Sequence, residues 1–249
     1  MRYSNPKIPE GINTSKEHPL KEFIILTTGA LAALFLLAVL LSYFGATLAR
    51  FIPFEMEQGW TEGFFHDSVE PTELKQYLES VSNRVAKSMG LEDEYQIHLH
   101  YSTDKTINAF ATLGGNIILF KGLLELLPNE DALAMLIAHE MTHIQHRDPI
   151  VSFASSLSVQ TGLAILLGNS DVSVLGDTGL LTMLHFSRKM EAAADAQAVA
   201  VVDDLYGHIA GATDLFNLLS EIRKKQGMGE QMAIFSSHPL DKKRLEAME

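Results

Sequence analysis

The sequence predicts a mainly helical α+β fold with a small β-sheet, carried behind one membrane-crossing helix. Three observations lead there: an uncharged apolar run from Phe23 to Phe44, several downstream segments whose apolar residues recur at helical spacing, and only two short stretches patterned as strands, 96–101 and 116–120. A chain of 249 residues accommodates one domain of ordinary size plus an anchor, and not two large domains with separate cores. The formal net charge of -12 argues against a phosphate-tracking surface, which needs clustered Lys and Arg, so no nucleic-acid partner is expected. Cysteine is absent, which removes thiol nucleophiles, disulfides and thiolate metal sites together. Any metal must then be held by His and carboxylates.

The run FIILTTGALAALFLLAVLLSYF, residues 23–44, matches the roughly 20 residues needed to cross about 30 Å of hydrocarbon. It is too long for the apolar core of a cleaved signal, and Gly45-Ala46-Thr47-Leu48-Ala49 is a poor cleavage site, so the segment reads as a permanent anchor. Arg2, Lys7, Lys16 and Lys21 precede it, whereas Arg50 alone follows before Glu55, Glu57 and Glu62. The positive-inside rule therefore expects a cytoplasmic tail over 1–22, an anchor over 23–44 and an exported remainder. That topology describes a single-pass protein of the bacterial inner membrane, with its main domain on the periplasmic side and membrane lipid as a partner through the anchor. A second apolar segment, Ile150 to Leu167, carries Ser152, Ser155, Ser156, Ser158, Gln160 and Thr161. It reads as a helix buried in the domain or resting on the membrane, rather than a second span.

Residues 45–69 are expected to form a linker, with Pro53, Gly59 and Gly63 among aromatics and acids, and 70–249 the domain. Leu74, Tyr77, Leu78, Val81, Val85 and Met89 recur at helical spacing after Pro71 and Thr72, and Gly90 closes that helix. Gln96 to Tyr101 alternates as a strand, and Asn116 to Phe120 forms a second strand after the Gly114-Gly115 turn. A helix follows over Asn129–Arg147, ended by Pro149, then helices at about 180–202 and 206–226 and a short one from Pro239.

The chemistry concentrates on the helix at 129–147. His139-Glu140-Met141-Thr142-His143 is an HExxH sequence, and four-residue spacing on a helix projects both imidazoles from one face, where they can share one metal ion. A catalytic zinc takes three protein ligands and leaves a position to water; Glu140, beside the first His, is placed to take a proton from that water. The third ligand is expected from Glu191 in Ser187-Arg188-Lys189-Met190-Glu191-Ala192-Ala193-Ala194-Asp195, with Asp195, on the same helical face, receiving an N–H from a ligand imidazole. His146 lies about 10 Å along the axis from His139, too far to share the ion. His98 and His100 share a strand face without a third partner, and Asp177-Thr178-Gly179 reads as a turn because paired-carboxylate chemistry needs a second such triplet. No GxSxG elbow is present.

These pieces, in order, resemble the membrane-associated gluzincin zinc metallopeptidases, the family of HtpX and the CAAX prenyl-protein endopeptidase. Asn108-Ala109-Phe110-Ala111 resembles the family's NAF-type segment; the HExxH at His139 follows, then the SRxxExxAD-like run ending at Asp195, then Ser237-His238-Pro239 with Arg244 beyond. The resemblance covers about 70–249 and implies a zincin-like domain with one Zn2+ per chain on His139, His143 and Glu191. It implies Glu140 as general base, Asp195 supporting a ligand His, and His238 and Arg244 at the cleft, stabilising the oxyanion or controlling access to the metal. HtpX-like members carry several spans, so this chain is more similar to the single-anchor or soluble members.

Substrate binding is expected along Asn108, Ala109 and Phe110 and along Gly115, Asn116 and Ile117, where a strand near the metal helix offers a sheet edge to an extended peptide. The function expected is a membrane-anchored metalloendopeptidase that cuts unfolded or damaged envelope and membrane polypeptides in protein quality control. The competing function is a zinc-stabilised chaperone or adaptor that holds unfolded chains without cutting them, and Glu140 argues against it, since a structural site has no use for a base.

Overall fold

A computed structural model describes residues 19–64, 72–91, 95–166, 168, 184–225, 233–240 and 242–246. The tail before residue 19, the Asp177-Thr178-Gly179 triplet and the start of the helix expected from 180 lie outside these residues. The chain divides into two compact units, 1–40 and 41–249. The described part of the first belongs to α1 (Pro19–Ala49), an uninterrupted helix of 31 residues long and apolar enough to cross a membrane.

In the second unit, the segment expected as a linker carries a helix, α2 (Phe54–Thr61). Its Glu57 and Thr61, one turn apart, are both buried. Thr61 Oγ1 accepts from Asn116 Nδ2 at 3.1 Å, and Glu57 Oε2 accepts the Gly114 N–H at 3.3 Å. Gly114 has φ +70, and a Cβ there would collide with Thr61, so the close approach of α2 requires glycine at this position.

Helix α3 (Glu73–Ser88) begins where Thr72 accepts the Lys75 N–H, and of the stripe its spacing predicts Leu78, Val81 and Val85 are buried while Leu74 and Tyr77, in its first turns, are exposed. Strands β1 (His98–Ser102), β2 (Ala109–Ala111) and β3 (Asn116–Phe120) form one sheet in the order β1-β3-β2, with β3 parallel to β1 and antiparallel to β2. This corrects the expectation that Gly115, Asn116 and Ile117 line a free edge. Strand β3 is central and paired on both sides, Ile117 is fully buried, and Asn116 bonds Thr61, Leu113 and His100. The outer strands are β1 and β2; on β2, Thr112 and Asn108 bond β3, so by antiparallel alternation the backbone groups of Ala109 and Ala111 point away from it, the Ala111 N–H toward Glu140.

After the short α4 (Lys121–Leu124), Asn129 caps α5 (Glu130–Gln145) through the Ala132 N–H. Helix α5 is buried from Ala132 to Ile144 between α3, β2, α7 (Arg188–Tyr206) and α8 (Ala210–Lys225). Met135, Ile137 and Met141 are fully buried, and such side chains contribute on the order of 1.5–3 kcal/mol each. The helix ends before Arg147, the one non-glycine among the described residues with positive φ, at +64. Pro149 then sits in the first turn of α6 (Asp148–Leu166) rather than merely stopping α5, as suits its fixed φ. Short helices α9 (Ala233–Ser237) and α10 (Lys242–Glu246) complete the unit, and α9 packs against β2.

Candidate metal centre

Burial of one face of α5 brings His139 and His143 inward one turn apart, with ring centroids 4.7 Å apart. Their Nε2 atoms approach to 3.1 Å. On the far side of each ring, His139 Nδ1 lies 3.0 Å from Asp195 Oδ1 and His143 Nδ1 lies 2.9 Å from Asp148 Oδ2. An ionised carboxylate only accepts, so each Nδ1 carries a proton, and the two Nε2 atoms that face each other are left to share a further proton or to bind a metal ion.

Glu191 enters from α7, which starts where Ser187 accepts the Met190 N–H. Its Oε1 is 3.4 Å from His143 Nε2 and its Oε2 is 3.6 Å from His139 Nε2. His238, just beyond α9, brings Nδ1 to 3.0 Å from Glu191 Oε1 and 3.4 Å from His139 Nε2. One donor atom from each of His139, His143, Glu191 and His238 thus lies within 4.8 Å of the others. Glu140, also buried, accepts the Ala111 N–H from β2 at 2.7 Å, and its other oxygen is 3.5 Å from His238 Nε2.

The electrostatics call for a cation. Glu140, Asp148, Glu191 and Asp195 are all buried, and Arg244 is the one buried arginine or lysine among the described residues. Arg244 clamps Asp195 with two bonds, of 2.6 and 2.8 Å, and brings Nη1 to 2.6 Å from Glu191 and 3.1 Å from the Pro239 carbonyl. Burial alone favours neutral forms, yet Asp148 and Glu191 outweigh it at His143 and raise its pKa to about 9. Burial prevails at His139 and lowers it. Burial likewise opposes charge on Glu191 and Asp195, but the imidazoles around the former and Arg244 beside the latter hold both carboxyls below their usual range. Without a metal the cluster recruits a proton; a dication satisfies the same demand and displaces it. His238 Nε2 and Glu191 Oε2 are buried without a hydrogen bond, although Arg244 lies beside the latter. The donor set therefore fits a metal ion, and imidazole with carboxylate is chemistry that suits zinc.

All residues expected at the metal come together, and His146 is exposed and peripheral as expected. Two neighbours were not expected. Asp148 follows α5 through the turn at Arg147, so its distance in sequence from His143 matches no helical spacing. Phe186 stacks on the His143 ring at 4.1 Å from a segment without periodicity. Beside Glu140 and His139 lies a small cleft with apolar walls, among them Met135, Leu136, Leu215 and Phe216.

Residues 72–249 match the family described as Peptidase family M48. The chain belongs to that family. By its description the family is one of peptidases, and the metalloendopeptidase OMA1 is among the relatives of this chain. Among M48 relatives, it is 32% identical over 187 residues to the mitochondrial metalloendopeptidase OMA1 of Schizosaccharomyces pombe, covering 73% of this chain and 53% of that protein. It is 28% identical to the β-barrel assembly-enhancing protease of Escherichia coli K12 (69% and 37% covered). It is 37% identical to the HtpX homologue of Acidiphilium cryptum (38% and 41% covered). The chain spans about half or less of the length of these relatives.

Because Asp148 fixes the His143 tautomer, Asp148→Asn is expected to weaken metal affinity about 10- to 100-fold, read by chelator competition. Unchanged affinity would show that the 2.9 Å contact has no part in metal binding.

Proposed function

We propose that this M48 member is a zinc-dependent metalloendopeptidase, held in the bacterial inner membrane by residues 23–44 with 1–22 cytoplasmic and the catalytic domain, 70–249, in the periplasm. The observation that carries the reading is the convergence of His139, His143 and Glu191 on one point, with the Glu140 carboxylate beside it. We assign His139, His143 and Glu191 as ligands of one Zn2+, Glu140 as general base, and Asp195 and Asp148 as the groups that orient the imidazoles. When bound, zinc supplies Lewis-acid polarisation of a carbonyl and acidifies water. Glu140 takes the proton of the attacking water on its carboxylate and returns it to the leaving amine. Arg244, engaged by Asp195 and Glu191, acts as a positioning residue rather than as a free oxyanion donor.

The substrates on this reading are unfolded or damaged envelope and membrane polypeptides, which add as a strand to β2 along Asn108, Ala109 and Phe110, where backbone pairing demands little sequence preference. The printed name of the Escherichia coli relative, which concerns β-barrel assembly, supports an envelope role. A zinc-stabilised adaptor that binds without cutting is the competing function. Glu140→Gln separates the two: cleavage of an unfolded protein by the full chain should fall by about 10²- to 10⁴-fold at unchanged zinc content. Equal absence of cleavage from zinc-loaded wild type and variant would favour the adaptor.

One observation favours a latent form of the same enzyme. A donor atom of His238 lies within 4.8 Å of those of His139, His143 and Glu191, so His238 would be able to take the position that a catalytic zinc needs open. The α9 segment that carries His238 also packs on β2, the strand a substrate would join. His238→Ala is therefore expected to raise basal cleavage of an unfolded protein. A large loss of activity at full zinc occupancy would instead assign His238 to transition-state stabilisation.

A further inference from the structure

We infer that α6 is a second lipid-inserted element: its C-terminal end enters the bilayer beside the end of α1, and the apolar face of α2 lies at the interface next to it. This rests on the reading of α1 as a membrane anchor. Within the second unit, the last turns of α1 pack on α6. Ser42 Oγ and Ser155 Oγ are 2.6 Å apart, a Cβ on Gly45 would collide with Ser158 and the Ala154 carbonyl, and the Leu41 side chain closes on Gly162. As α1 advances from Leu41 to Gly45, its partners fall back from Gly162 to Ser158 and Ala154, so the two helices run antiparallel.

That register sets depth. Leu41 and Ser42 belong to the apolar run that ends at Phe44, so Gly162 lies inside the level at which that run meets water. Four more residues carry α6 to Leu166, on the order of 10 Å below that level at a rise of about 1.5 Å per residue. At that depth Ile165 is 75% exposed and Leu166 53% exposed. Serine content argued against membrane insertion of this segment, but three of the hydroxyls are turned inward: Ser152 donates to the His185 carbonyl, Ser155 pairs with Ser42, and Ser158 meets Gly45. Small residues and interhelical hydroxyl pairs are the means by which helices associate in lipid.

Helix α2 extends the same surface. Glu57 and Thr61 hold one of its faces against the turn at Gly114, while Met56 and Trp60, also one turn apart, stay exposed together with Phe51. A tryptophan between an apolar span and a polar domain suits the membrane interface. The occupant of this surface is bilayer lipid, because it continues directly from the end of the apolar run; a protein partner or second copy would have to occupy the level of the hydrocarbon.

The chain has no cysteine, so single-site spin labelling needs no background changes. Full-length protein in lipid nanodiscs is labelled at Ile165→Cys, at Leu36→Cys in the anchor and at Lys87→Cys on exposed α3, and relaxation by oxygen is compared with relaxation by a water-soluble nickel chelate. The expected result is an oxygen-to-nickel ratio at 165 close to that at 36 and several-fold above that at 87. A water-like ratio at 165 with a lipid-like ratio at 36 overturns the insertion of α6 and leaves the anchor standing. Poor access of both relaxants to 165 overturns it in favour of a protein partner. A water-like ratio at 36 removes the anchor, and the insertion of α6 with it.

Discussion

The structure turns on two imidazole nitrogens, Nε2 of His139 and of His143, held 3.1 Å apart in a buried site. Two lone pairs at that distance repel unless a proton or a metal ion is shared between them, and the surrounding acids strengthen the demand. Each ring is fixed from behind by a carboxylate, Asp195 for one and Asp148 for the other. The remaining elements can be read as the means of bringing those carboxylates, and Glu191, to this point without leaving them uncompensated. Removal of one partner from such a buried network typically costs about 3–5 kcal/mol, since an unpaired charge stays behind. This is why Arg244, distant in sequence, closes the cluster by bonding Asp195 and lying against Glu191.

The corner after α5 carries a second dependence. Arg147 adopts a left-handed backbone that strains a residue with a Cβ by on the order of 1–3 kcal/mol, and it does so where the chain must reverse to return Asp148 to His143. Its guanidinium meets Glu57 at 2.5 Å and donates to the Ile52 carbonyl, tying the corner to α2. Burial pushes the Glu57 carboxyl up, against the pull of Arg147 and the Gly114 N–H. The segment that follows the apolar helix is thus joined by charge and hydrogen bonds both to the metal helix and to the turn that begins β3.

What was legible in the sequence was whatever depends on spacing along one element. The i, i+4 pairs His139/His143 and Glu191/Asp195 met because helices α5 and α7 impose that geometry, and the starts expected at Thr72 and Asn129 hold to within a residue or two, whereas the helix expected from about 180 begins only at Arg188, since 184–187 are not helical and Ser187 is its cap. What depends on contact between elements was not legible. Strand order is set by pairing across the chain, so spacing does not reveal that β3 is central, with β1 on one side and β2 on the other. Asp148 reaches His143 through a turn of unusual backbone, and Phe186 through a packing contact, neither of which leaves a periodic trace. Helix α2 leaves no apolar periodicity in the sequence because its buried residues are polar, Glu57 and Thr61.

The central claim is that this cluster holds a metal ion, and the most direct measurement is anomalous diffraction at the zinc absorption edge from crystals of the purified chain. The account predicts one strong peak within about 2.0–2.2 Å of His139 Nε2, His143 Nε2 and a Glu191 oxygen. A crystal that contains zinc but shows no peak there, or shows its peak on other residues, would contradict it.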